Sequence, residues 1–141
     1  MKKGMKIGIT VLVCALLLSG LSIYSVPQLR VSLFVNTYHT LIEDGLKAGN
    51  GVPADDAVIL GYEAVNSWER THPMTEFIIM SWGNRYYGCY YSPDDVPLAF
   101  QNTDVELTSK EENRWTWNAD GDNYGETTKI MDRWYFFKAS F

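Results

Sequence analysis

Apolar positions change their spacing twice along this chain. From Ile7 to Val26 they are almost continuous, from Gln28 to Ala48 they recur every three or four residues, and from Tyr62 onward they alternate. The continuous run predicts a membrane-spanning helix, since that length of helix rises about 30 Å, the thickness of a bilayer's hydrocarbon core. In the second region Val31, Phe34, Val35, Tyr38, Leu41, Ile42 and Leu46 define one face of an amphipathic helix. Ser32, Asn36, Thr40, Glu43, Asp44 and Lys47 fill the opposite side. Ser25 stands as the cap, Pro27 falls in the first turn, and Gly49 supplies a stop. With no long linker between them, the two helices read as one helix bent at Pro27.

The alternating region predicts strands at 62–69, 75–82, 85–92, 113–119, 124–131 and 133–140. Gly83-Asn84 lies between two β-prone runs and suits a tight primed turn. Asp120 to Asn123 makes a second turn. Asp132-Arg133 makes a weaker third, because arginine has no ease at positive φ. Ala54 to Leu60 reads as a short helix capped by Asp55 and Asp56 or as a lead-in to a strand. Pro93 to Glu112 is the largest irregular stretch, introduced by the turn chemistry of Ser92-Pro93-Asp94-Asp95, and Val105 to Thr108 is a candidate edge strand. The expected fold class is α+β: an N-terminal transmembrane helix, then one long amphipathic helix packed on a curved antiparallel meander sheet of about five or six strands. Residues 1–26 form the basic stub and anchor, and residues 27–141 the extracytoplasmic domain.

Charge orients the anchor. Lys2, Lys3 and Lys6 precede the apolar run and only Arg30 follows it closely, so the positive-inside bias keeps the N-terminus cytoplasmic and exports the rest. The expectation is a single-pass cell-membrane protein held in lipid by the segment from Ile7 to Val26. The rival reading is a signal peptide cleaved after Ser22, with Gly20 and Ser22 at the small-residue positions and a secreted product. Against it, the site lacks the Ala-x-Ala form and apolar character resumes at Leu21, Ile23, Tyr24 and Val26. Cys14 lacks the small residues that precede a lipidated cysteine, so it reads as a small apolar side chain.

The exported part carries all 17 acidic residues against nine of the 12 basic ones, a net charge of −8. A surface so acidic repels phosphate backbones, which argues against nucleic-acid partners. Cys89 has no cysteine partner within this part, so packing rather than a disulfide must stabilise it. Aromatic residues offer the means: 17 of the last 80 residues are Trp, Tyr or Phe.

Candidate chemistry is sparse. Cys89 with His39 or His72 is a formal nucleophile pair, but a thiol inside an aromatic strand is poorly reactive, and His72 beside Pro73 reads as an exposed loop residue. Asp120 to Glu126 has calcium-loop composition, yet a tyrosine falls at the fifth position and a methionine at the twelfth, so a hairpin turn explains it better. Adjacent Asp94 and Asp95 point opposite ways on an extended chain and do not make a carboxylate pair for glycoside hydrolysis. The sequence therefore points to no metal, no cofactor and no catalytic residue. Its positive signal is aromatic. Tyr86, Gly88 and Tyr90 share one face of their strand, Tyr87, Cys89 and Tyr91 the other, and Trp115 and Trp117 lie on one face of theirs. One helix covers one side of a sheet, so Tyr86, Tyr90, Trp115 and Trp117 are the candidate binding residues. The competing reading is a curled sheet that buries both sets.

The stretch YYGCYYSPDDVPLAF from Tyr86, with the ending WYFFKASF, resembles segments of small bacterial exported or membrane-anchored proteins, a resemblance that implies compartment and no activity. The outline of a helix followed by a curved antiparallel sheet is similar to nuclear-transport-factor-like domains, which enclose a pocket between helix and sheet; no short motif carries a residue across. The expected function is a non-enzymatic extracytoplasmic binding module for an envelope protein or polymer. The alternative is a small-molecule binder or enzyme with a pocket between helix and sheet, near His39 and Tyr87. Oligomerisation through the apolar helix is a weaker reading, since the run lacks a strong small-xxx-small pattern, with Ser19 and Gly20 near its outer end.

Overall fold

The computed structural model describes Cys14, residues 26–52 and residues 61–141. The expected span lies outside these apart from Cys14, which is helical and exposed, and Val26. The segment Ala54 to Leu60 lies outside them too. Among the described residues no helix is long and apolar enough to cross a membrane.

The described chain is α+β: one helix on a seven-stranded antiparallel sheet. Helix α1 spans Pro27–Lys47. Pro27 opens it because proline's φ is preset for a first turn and its missing N–H would have no partner there. The cap position falls on Val26, which makes no side-chain capping bond, rather than on Ser25. The end is a paired closure: Gly49 N–H donates to the Leu46 carbonyl at 3.1 Å and Asn50 N–H to Gly45 at 3.1 Å. Gly49 sits at φ +72, a conformation that costs glycine nothing.

The strands are β1 Ala64–Trp68, β2 Met74–Trp82, β3 Arg85–Tyr91, β4 Thr108–Glu111, β5 Arg114–Asn118, β6 Tyr124–Met131 and β7 Trp134–Ser140. Six of them match the alternating runs within about two residues at each end, as expected for boundaries set by turns. Their order is β1-β2-β3-β7-β6-β5-β4, so the sheet is not one simple meander. Two meanders, β1-β2-β3 and β4-β5-β6-β7, join where β3 pairs with β7. Between them residues 92–107 cross from the middle of the sheet to its far edge. Register shifts between Ile78 and Met80, Ser109 and Glu111, and Lys129 and Met131 add local twist. The edge strand is also displaced from Val105–Thr108 to Thr108–Glu111, where all four residues are exposed. Polar Thr-Ser-Lys-Glu suits an edge that must not recruit another strand; Val105 and Leu107 are used elsewhere.

That use is the second core. On the helix side, Val31, Phe34, Val35 and Ile42 pack on Phe77, Ile79, Cys89, Tyr91, Trp134 and Phe136. On the other side, Leu98, Ala99, Phe100, Val105 and Leu107 from the crossing segment lie over Tyr90, Trp117, Tyr135 and Phe137. Both faces therefore carry a core, the second under the stretch that lacked periodicity. Gly88 makes this packing possible: a Cβ there would collide with the Phe77 carbonyl oxygen and the Phe137 ring.

One helical residue departs from its expected side. Glu43 is buried, and its carboxylate accepts from the Trp134 indole N–H at 2.9 Å and from the Arg133 guanidinium at 2.9 Å. A carboxylate can face a core only when charge and hydrogen bonds meet it there. The same contacts explain how Arg133 holds a turn position at φ +68, since its side chain also lies 5.7 Å over the Tyr91 ring.

Candidate functional site

Directly paired residues of antiparallel strands point to the same face of a sheet. Trp82 pairs with Arg85, Arg85 with Ser140, Ser140 with Tyr124, and Tyr124 with Asn118. One rung therefore crosses five strands on the helix side. The next helix-side rung holds Tyr87, Lys138, Glu126 and Thr116. Here the face changes character, from the aromatic core under α1 to charged and hydroxyl-bearing side chains.

These residues line a cavity of about 260 Å³ bounded by Arg85, Thr116, Asn118, Tyr124, Glu126 and Lys138. Trp117, Gly125 and Ala139 complete its floor with backbone, because the Trp117 and Ala139 side chains pack on the opposite core. Arg85 also joins a wider groove of about 690 Å³ between the start of α1 and the β2–β3 turn, walled by Pro27, Met80, Trp82 and Tyr87. Glu126 is already engaged, accepting from the Arg114 guanidinium at 2.8 Å. This bond, with the neighbouring negative charges, raises the pKa of Arg114 further. The exposed side chains of Arg85 and Lys138 have no ion-pair partner among the described residues. Two unpaired cations and the half-exposed Tyr124 ring thus share one hollow in an acidic domain. Such a set can hold an anionic group and stack on a ring or apolar edge beside it.

The aromatic candidates sit elsewhere. Tyr90 is fully buried, stacked on Tyr135 with centroids 5.1 Å apart. Its hydroxyl accepts from Leu98 N–H at 2.8 Å and meets Thr127 Oγ1 at 2.8 Å, so it ties the crossing segment to the sheet. Trp117 is 3% exposed. Tyr86 and Trp115 are half-buried on that face: Tyr86 stacks on Phe100 at 5.5 Å, and Trp115 packs 6.2 Å from Tyr135. Of the four, only Tyr86 and Trp115 retain surface that a partner could reach.

The remaining candidates are structural in their contacts. Burial pushes the Cys89 thiol well above its ordinary range, with the Glu76 charge adding to the shift. His39 is held by its own helix through the Val35 carbonyl at 3.1 Å, and His72 is exposed, 2.9 Å from Asp94. The aspartates of Ser92-Pro93-Asp94-Asp95 diverge, and the turn closes through Asp95 N–H to the Ser92 carbonyl at 3.0 Å. Asp95 accepts from Lys129 at 2.6 Å, from Arg133 N–H at 2.7 Å and from the Tyr135 hydroxyl at 3.0 Å. The bond from Lys129 is the main reason its carboxyl lies below the usual range. Residues 119–123 form a hairpin loop closed by Ala119 N–H to the Asn123 carbonyl at 2.8 Å. Near His39 and Tyr87, Phe34, Phe77 and Trp134 fill the helix–sheet interface, with centroids 5.6 and 6.0 Å apart. The open space is the groove beside Tyr87 at the helix start.

Glu76 is the group that sequence reasoning passed over. It is fully buried on the second face, accepting from Gln101 N–H at 2.8 Å, and burial raises its carboxyl to about 7. Asn66 and Trp68 pull the other way, yet Oε1 and the Trp68 indole N–H lack a well-formed hydrogen bond. Gln101 and Asn102, at φ +55 and +51, carry the turn whose amide it holds. Arg85 and Lys138 were also passed over. Their one signal is phase, since each is a charge at a position in step with helix-side core residues of its strand, Arg85 with Cys89 and Tyr91 and Lys138 with Trp134 and Phe136.

Comparisons with protein-family models, with curated proteins and with solved structures found no match for the chain.

Proposed function

We propose that this chain is a single-pass, membrane-anchored protein whose extracytoplasmic domain is a non-enzymatic binding module for an anionic envelope polymer. The observation that carries this reading is the cavity holding Arg85, Lys138 and Tyr124. Its cations are unpaired among the described residues although the exported part carries a net −8. Local positive charge on an acidic body favours a ligand whose anionic groups come one at a time beside rings or hydroxyls, and disfavours nucleic acid, whose dense charge the rest of the surface repels. Thr116, Asn118 and Ser140 supply hydroxyl and amide groups around the cations, the polar complement that fixes a ligand's orientation. The ligand surface is then the polar end of the helix-side face, with Tyr86 and Trp115 the two of the four aromatic candidates left to contribute from the opposite face.

The test is a binding isotherm for the full chain in detergent with poly(glycerol phosphate) as probe and unsubstituted dextran as the neutral control. The expected result is salt-sensitive binding of the phosphate polymer alone, weakened about tenfold or more in R85E/K138E, since two reversed contacts exceed about 1.4 kcal/mol. Equal affinity for the two polymers, or an unchanged affinity in the variant, would reject the reading.

A further inference from the structure

The large apolar side chains that stay exposed are gathered rather than scattered. Of the seven among the described residues, Val26, Leu29, Trp82, Tyr124 and Phe141 lie at one end of the molecule. The register brings them there. Trp82 and Tyr124 occupy the same terminal rung, and Phe141 follows Ser140 of that rung. The Asn84 amide donates to the Phe141 carbonyl, and Phe141 N–H donates to the Asn84 carbonyl at 3.0 Å, tying the C-terminus to the β2–β3 turn. Pro27 walls the same groove as Trp82, Gly83 and Asn84, which sets the start of α1 beside that turn. Leu33 continues the apolar surface one turn along the helix from Leu29, on the side opposite buried Val31 and Val35.

Single exposed apolar residues are ordinary, but the helix start, Trp82 and Tyr124 bring apolar surface from three separate parts of the chain to this end, with the Phe141 ring on the other face against Tyr86 and Phe100, and such a gathering marks a contact surface. Trp82 is 84% exposed at a turn, a position at which solvent alone gives no reason for an indole. The occupant follows from the chain itself. The apolar run Ile7 to Val26 ends at this surface, and apolar side chains continue past it around the first two turns of α1. Tryptophan and tyrosine rings are the side chains that settle at the headgroup level of a bilayer, and apolar helix turns with a nearby arginine do the same.

We propose that this end of the domain docks on the bilayer that the apolar run enters, with Trp82 and Tyr124 at headgroup depth and the first two turns of α1 in the interface. The proposal rests on the reading of that run as an uncleaved anchor. In this pose the cavity of Arg85 and Lys138, which shares Arg85 with the groove beside Trp82, opens at the membrane surface, so the domain takes its ligand where an envelope polymer meets lipid.

The test uses the full chain reconstituted in phosphatidylcholine vesicles whose acyl chains are brominated near the headgroup. The expected result is flotation with the vesicles and loss of about one tryptophan's share of the emission from the five present, with W82F floating equally but no longer quenched. Trp82 makes no core contact, so the variant keeps the fold. Flotation without quenching, or equal quenching in W82F, would overturn the docking while leaving the anchor standing. Failure to float would overturn both. Shielding of Trp82 from aqueous iodide in detergent micelles at high but not at low protein concentration would overturn it in favour of a second copy of the chain on this surface.

Discussion

Glu76 spends its folded life where water does not reach, and burial lifts its carboxyl from the ordinary 4.5 to about 7. Folding therefore takes up a proton between those values. Below about pH 4.5 the carboxyl is protonated in both states and costs nothing; as pH rises through 7 the folded chain must either ionise a buried group or hold a proton that the unfolded chain has released. Stability falls by about 3 kcal/mol across that window. Urea midpoints of the detergent-solubilised chain should drop between pH 5 and pH 8.5, and E76Q should remove most of this slope; a slope unchanged in E76Q would contradict the assignment. The amide that Glu76 holds belongs to Gln101, so the residue also explains why two consecutive side-chain-bearing residues tolerate left-handed φ in the crossing segment. Tyr90 serves the same segment from the next strand, its hydroxyl gathering Leu98 and Thr127. What looked like a platform for a partner is a strut.

At the scale of elements, the helix and sheet meet through a packed aromatic layer and one polar bond set. Glu43 accepts from both Trp134 and Arg133, so it clamps the last turns of α1 to the β6–β7 turn. E43A should cost about 3 kcal/mol, because it leaves an indole N–H and a guanidinium without their acceptor. E43Q, which keeps an acceptor for the indole, should cost less than half of that. A loss in E43A below about 1 kcal/mol would place the clamp outside the folding energetics. This bond was not legible in the chain, because a glutamate at the border of a helical face carries no sign of a partner ninety residues away. The alternating strands were legible, down to the opposite faces of Tyr87-Cys89-Tyr91 and Tyr86-Gly88-Tyr90, since burial on a pleat imposes a period of two. Leu98, Phe100, Val105 and Leu107 imposed no period, so their segment read as a loop although it covers half of the sheet. The site was hidden for a related reason. Trp82, Arg85, Tyr124 and Ser140 come together only through the register of four strands, and the pairing of β3 with β7 sets that register.

For the whole molecule, polarity runs along its length. The end bearing Asp95, Lys129, Arg133 and Glu43 is closed by ion pairs, and the opposite end carries exposed rings and the cavity cations Arg85 and Lys138, unpaired among the described residues. On the proposed anchoring, a chain entering lipid just before Pro27 would present that second end to the bilayer and join anchor, apolar rim and cavity in one arrangement. The binding role depends on the domain standing outside the membrane. The direct measurement is thiol labelling of E112C, at the exposed β4–β5 loop, in a C14A background. Cys89 needs no replacement, being buried with its thiol pushed up. A membrane-impermeant maleimide should label E112C in intact cells, while a K3C control should be labelled only after lysis. E112C labelled only after lysis would place the domain on the cytoplasmic side and contradict the proposed role.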